Sequence, residues 1–193
     1  MELQLLYRTV ITDEKGKIVK RGRWRKSRSF VKAFLQHVYG SLFSATISVI
    51  DTGNAARTLT SPTGYTQPHL DINAAADNSA YGFVVGTGTT APTNTDYALV
   101  AQIGQGTGEN QLDHGVHSVT IPAVVSGNVD MVISRAFYNG SGATITVKEI
   151  GIYCRSYDGA MRYFCVVRDV LAASVDVLDT QTLTVQYTLR TTV

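Results

Sequence analysis

The stretch FYNGSGATITVKEIGIY, residues 137–153, decides the fold class. A β-prone run ends at Phe137 and Tyr138, and Asn139-Gly140-Ser141-Gly142 supplies residues that tolerate the positive φ of a tight reversal. A second β-prone run leaves from Ala143. Within it Ile145 and Val147 share one parity, while Ile150, Ile152 and Cys154 share the other. A bulge near Lys148 and Glu149 would re-align both halves on one core. The alternative is a strand covered on both faces at its far end.

The neighbouring segments extend this reading to four strands between Val129 and Arg190. In 181–190, Leu183, Val185, Tyr187 and Leu189 fall on one face. Thr182, Thr184, Gln186, Thr188 and Arg190 fall on the other, which is the period of a strand with one wet face. Residues 160–168 are apolar at both parities and predict a more central strand, covered on both sides. Asp158-Gly159 predicts a two-residue hairpin between these strands. With that loop Cys154 faces Tyr163 and Cys165 faces Ile152. The thiols are then diagonal neighbours, and two buried free thiols fit better than a bridge.

At 193 residues with 44% hydrophobic content, one compact domain with an appendage is expected. No run of 18 apolar residues suggests a membrane span, and the first residues do not read as a secretory signal. A reducing cytoplasm during synthesis suits the cysteine count. The net charge of +2 conceals an asymmetry: residues 1–39 carry ten Lys/Arg against three Asp/Glu, and residues 40–193 carry seven against twelve. The predicted organisation is a basic amino-terminal hairpin and helix arm over 1–45, followed by a β-sandwich over 46–193. Removing residues 1–28 should on this reading leave a folded sandwich.

Along the chain, residues 3–11 read as a strand, 13–16 as a turn and 17–20 as its return. The one helix is expected at about 28–39, capped by Ser27 or Ser29. Its apolar stripe is Phe30, Val31, Phe34, Leu35 and Val38, with Gly40 as its αL terminator. A long loop is expected over 51–79, a strand at 81–85, one helical turn at 96–99 and a flexible link at 104–108. A strand over 116–125 has Pro122 at an edge or bulge.

The candidate sites are mostly ones of contact. Six of the nine residues from Lys20 to Arg28 are Lys or Arg, with Trp24 among them. Lys20, Arg21, Arg23, Trp24, Arg25 and Arg28 are candidates for docking on an acidic protein surface, with Phe30, Phe34 and Leu35 as apolar anchors. The same run suits nucleic acid, through phosphate neutralisation and stacking. His114 and His117 have the spacing of a metal pair, but the glycine between them argues for solvated loop histidines. Glu149 reads as a bulge carboxylate paired with Arg135 or Arg168 rather than a catalytic acid. Gly86-Thr87-Gly88 and the 104–108 glycines lack the full phosphate-loop spacing. Asn139-Gly140-Ser141 spells a glycosylation sequon that its turn role already explains. Tyr65, Tyr81, Tyr97, Tyr138 and Tyr157 are candidates for a binding face or for sheet ends. No catalytic set, metal site, cofactor or small-molecule substrate is read from the sequence.

With these residues in view, the chain resembles structural proteins of tailed-bacteriophage virions. The resemblance covers about 80–193. It is carried by residues 86–99 (GTGTTAPTNTDYAL), 137–153, 167–171 (VRDVL) and 181–190. It implies a mainly β chain, an antiparallel, jelly-roll-like β-sandwich with one amino-terminal α-helix. It also implies a non-enzymatic component of a tail, neck, baseplate or capsid surface, assembled in the bacterial host cytoplasm. Such a component would form a homo-oligomer and attach to other virion proteins. The alternatives are a receptor- or glycan-binding module using the 51–79 and 86–97 loops, and a nucleic-acid-binding protein using the basic arm.

Overall fold

Alternating side chains at both ends of the chain build one large sheet. The computed structural model describes residues 2–27, 30–43, 45–60 and 70–192. Strand β1 (Glu2–Thr12) turns through Gly16, at φ +75°, into β2 (Ile18–Arg21), and β3 (Arg25–Lys26) returns alongside β1. Helix α1 (Lys32–Phe43) leads to the hairpin of β4 (Ile47–Ile50) and β5 (Ala56–Leu59). Then follow β6 (Gly82–Gly86), β7 (Gly104–Gln105), β8 (Gln111–Val119), β9 (Ala123–Val125) and β10 (Asn128–Tyr138). The chain ends with β11 (Ile145–Tyr157), β12 (Met161–Val177) and β13 (Thr182–Thr192).

The large sheet runs β2-β1-β13-β10-β8-β7, with β3 beside β1 and β9 beside β10. The smaller sheet runs β12-β11-β6. The protein is a β-sandwich with one helix, as the alternation of 181–190 predicts. Leu5, Tyr7, Leu183, Val185, Tyr187, Ile133 and Phe137 belong to one buried cluster with Phe83, Ile152 and Val166 of the smaller sheet. Each such side chain contributes about 1.5–3 kcal/mol on burial.

The first strand is part of this body, and residue 45 is not where the packing divides. β1 pairs with β13 over eleven rungs and buries Leu5, Tyr7 and Ile11. The cationic residues that follow drew the sequence reading towards an arm, but the strand before them carries core side chains.

Asn139-Gly140-Ser141-Gly142 reverses the chain between sheets, not within one, since β10 and β11 belong to different layers. The buried Asn139 side chain donates to the carbonyls of Ala143 and Val177, both at 2.7 Å. Its own backbone pairs with Thr180 and Gln181. One asparagine therefore stitches both crossings, 139–144 and 178–181. This buried position leaves no room for a glycan on the folded chain.

The β11–β12 register does shift between Val147 and Glu149, but the extra residues, Leu171 to Ser174, lie on β12 and not in the strand expected to bulge. Beyond the shift Glu149 to Cys154 are all buried, so the alternative of two covered faces holds. The loop at Asp158 has three residues, because Tyr157 pairs with Met161. The register accordingly places Cys154 opposite Phe164 and Cys165 opposite Tyr153, and both thiols are free and buried. β12 is covered on both faces but is an edge strand. Its outer edge is closed by Val31 N–H donating to the Val166 carbonyl and by Thr52 N–H donating to that of Tyr163.

Three local expectations are corrected. The helix begins at Lys32 and runs to Phe43, with Gly40 inside it. A Cβ at Gly40 would stand 3.1 Å from Ile47 Cδ1, so the glycine serves the approach of helix to strand and not a cap. Residues 96–99 form no helical turn, and 104–108 is tied down by β7.

Removing residues 1–28 should unfold the protein, because β13 loses a neighbour along its whole length. The truncated chain should show no cooperative thermal transition by circular dichroism. A soluble truncation with a native near-ultraviolet spectrum would contradict this.

Candidate functional site

Two fully buried arginines organise the polar interior. Arg168, on β12, donates from Nε to Glu149 Oε2 at 2.9 Å, from Nη1 to Asp96 Oδ2 at 2.7 Å and from Nη2 to the Thr90 carbonyl at 2.8 Å. Glu149 also accepts the backbone N–H groups of Gly88 (3.1 Å), Ala101 (2.9 Å) and Val100 (3.3 Å). Burial works against the Arg168 charge, but its hydrogen bonds and ion pairs with Asp96 and Glu149 hold its pKa above the ordinary value. The 86–88 glycines thus do surround an anion, and it is the chain's own carboxylate. A Cβ on Gly88 would collide with Glu149 Oε1, and one on Gly86 would lie 2.5 Å from the Ala101 carbonyl.

Arg135, on β10, has no carboxylate partner among the described residues. Its five contacts are carbonyls: Gly115 (2.8 Å), Tyr81 (3.3 Å), Phe83 (2.8 Å), Ala75 (3.0 Å) and Asn78 (2.7 Å). Burial pulls its pKa down to about 10, which still leaves it charged at neutral pH. Of the two partners expected for Glu149, the structure selects Arg168, while Arg135 fastens residues 75–83.

The histidines are strand residues, His114 buried and His117 half-buried, and not solvated loop groups. Their sequence parity differs, but a bulge in β8 opposite Ala136 sets His117 across from Arg135 and His114 across from Phe137. His117 Nε2 accepts the Phe83 N–H at 2.9 Å, so its proton sits on Nδ1, facing the Ala74 carbonyl at 3.2 Å. His114 Nδ1 lies 2.8 Å from Gln105 Oε1. Burial pushes both pKa values down to about 4. Among the described residues no three His, Cys, Asp or Glu side chains gather as a metal site.

The surface carries the remaining candidates. Lys20 and Arg21 on β2, Arg23 and Trp24 in the link, and Arg25 on β3 are exposed along one edge of the large sheet. Arg28 lies outside the described residues, as does Tyr65. Among the described residues none of Lys20, Arg21, Arg23 and Arg25 forms an ion pair, whereas Arg57, Arg155, Arg162, Arg168 and Arg190 each meet a carboxylate. Arg8, which the sequence reading missed, stacks its guanidinium 4.4 Å above the Trp24 ring. Arg8, Lys20, Arg23 and Arg25 line a groove of about 140 Å³. Its far wall is a wide bulge of β12, where Leu171 to Ser174 stand opposite the single residue Lys148.

The apolar anchors divide. Phe30 and Phe34 stack with ring centroids 4.3 Å apart and line an apolar groove of about 160 Å³ with Leu5, Met131 and Val167. Leu35 is 66% exposed and is outside the buried cluster of the described residues. A second exposed apolar area follows β8: Val119 is 62% exposed, Ile121 87% and Val124 76%, in a segment, 115–129, without Lys, Arg, Asp or Glu. The tyrosines do not share one role. Tyr81 is buried and stacks on Tyr163, whereas Tyr97 and Tyr138 are exposed.

No protein-family model, curated protein or solved structure matches this chain.

Two outcomes follow from the interior. Arg168→Met leaves Glu149 buried without its counter-charge and should lower stability by about 3–5 kcal/mol in denaturant titration. An unchanged midpoint would contradict the network. The histidines set a pH window. Their folded pKa values, about 4, lie below the ordinary 6.5, so the unfolded chain binds more protons between these values. Stability should be complete above pH 6.5 and fall as pH drops towards 4, by on the order of 1–3 kcal/mol per histidine. Asp130, held below 3.8 by its hydrogen bond to Arg190, adds its loss only at lower pH. His114→Gln should flatten the 4–6.5 segment when melting temperature is followed against pH.

Proposed function

We propose that this chain is a non-enzymatic structural component of a tailed-phage virion, which forms an oligomer and attaches to neighbouring virion proteins. One observation carries the reading: four exposed cations without ion-pair partners lie along the β2–β3 edge of a molecule whose other described arginines are engaged. Unpaired like charges repel one another, and Arg21 lowers the Arg8 pKa further after burial has already lowered it. An acidic partner surface relieves that repulsion and sets orientation. The uncharged apolar segment 115–129 supports the same reading, since exposed apolar patches mark contact surfaces.

The interior supports a building block over a catalyst. Glu149, the carboxylate that interrupts an apolar strand, has its oxygens occupied by Arg168 and three backbone amides. The second reading is nucleic-acid binding, favoured by Trp24, 41% exposed amid the cations.

The test is charge reversal. Lys20→Glu, Arg21→Glu, Arg23→Glu and Arg25→Glu together should leave the melting temperature within a few degrees and exclude the chain from purified particles. Normal incorporation of the variant contradicts the attachment role. Salt-sensitive DNA binding by the wild-type chain, lost in the variant, would transfer the edge to the second reading.

A further inference from the structure

We infer that the two outer edges of the large sheet are complementary halves of one interface, so that copies of this chain join head to tail. The occupant of the basic edge is thus a second copy of the chain. The inference rests on the assembly role proposed above and names the partner.

The strand order places β2 and β7 at opposite ends of the large sheet. The β2–β3 end carries exposed Lys20, Arg21, Arg23 and Arg25. At the β7–β8 end, Gln105 of β7 gathers two carboxylates: its Nε2 donates to Asp77 Oδ1 at 3.1 Å and to Asp113 Oδ1 at 2.8 Å. Glu109 is exposed in the turn between β7 and β8. None of these three acids forms an ion pair among the described residues. The carboxylates that do pair, such as Asp51, Asp71 and Asp130, serve cations of their own neighbourhood.

The separation in space matches the separation in sequence, with an excess of positive charge in residues 1–39 and of negative charge in 40–193. Two patches of opposite sign on opposite edges cannot neutralise each other within one copy. Each can meet its complement only on another copy. Such a contact is heterologous, using a different patch from each partner, and it closes into a ring or continues as a filament according to the rotation between copies. No strand lies beyond β2 or β7 among the described residues, and the charged side chains at both ends are exposed or half-buried. The interior networks keep the acidic end in place: Gln105 also accepts from His114 N–H at 2.7 Å, tying Asp77 and Asp113 to the core.

The experiment uses the full chain and three preparations, with mass measured by light scattering at low and high salt. The first is wild type. The second carries Lys20→Glu, Arg21→Glu, Arg23→Glu and Arg25→Glu. The third carries Asp77→Asn, Glu109→Lys and Asp113→Lys. Asparagine is chosen at 77 because the backbone there has φ +61°. Thermal melts confirm that each variant is folded; for one that is not, Glu109→Lys alone replaces the third preparation and Arg23→Glu with Arg25→Glu the second. Wild type should be a multiple of one chain at low salt and dissociate as salt rises. Each folded variant alone should have the mass of one chain, and an equimolar mixture should regain the larger mass, because the reversed β2–β3 edge of one variant matches the reversed β7–β8 edge of the other and their two native edges match each other. A wild type of one-chain mass under all conditions, variants that still assemble, or a mixture that does not recover would each overturn the inference. A wild type that stays single yet enters particles rejects the edge pairing and leaves the virion role intact. A chain that self-assembles but never enters particles does the reverse.

Discussion

Burying a guanidinium is costly, and that cost explains much of this architecture. A charge in the interior is tolerated where it is paired or each nitrogen finds an acceptor. Arg168 and Arg135 meet this condition by reaching out of the strands into irregular chain. Arg168 takes Glu149, Asp96 and the Thr90 carbonyl, and Arg135 takes carbonyls from residues 75, 78, 81, 83 and 115. Residues 70–81 and 87–103, on either side of β6, form few ladder bonds. Several of their backbone groups are satisfied by these two side chains and by Glu149. The dependence is mutual, since loop and charge are each unstable without the other.

The same constraint bears on the surface. A sandwich whose loops are held from inside presents its edges at fixed positions. Arg135, Arg168 and Glu149 point inwards and are used largely by the chain's own backbone. Unpaired charges of opposite sign stand at the two ends of the large sheet, where neighbours can reach them. A stiff block with charged edges and an uncharged apolar segment suits repeated contact between proteins, which is the sense in which we read its function.

Much of the frame was legible in the sequence because it rests on period-two burial. Leu183, Val185 and Tyr187 announced the strand they form, and the phase change at Lys148 marked where the β11–β12 register shifts, though not that β12 carries the extra residues. Leu3, Leu5, Tyr7 and Ile11 carry the same alternation, yet the cations that follow directed attention to an arm. Asn139-Gly140-Ser141-Gly142 reads identically whether the chain turns within a sheet or crosses between sheets, since positive φ is needed for both. The choice depends on Val177 and Thr180, some forty residues away. His114 and His117 escaped because a single bulge opposite Ala136 alters their parity, and nothing local marks it. The basic edge was legible as composition. Its acidic counterpart was not, because Asp77 and Asp113 meet only through Gln105.

The dependence of the loops on the two arginines is most directly measured by native-state hydrogen exchange of the amides in residues 74–81 and 87–103. The account predicts that Asp77, Thr87, Gly88 and Ala101, whose N–H groups are bonded inside, exchange with free energies close to that of global unfolding. Exchange of these amides at nearly the rate of an unfolded chain, while β11 and β13 stay protected, would contradict it.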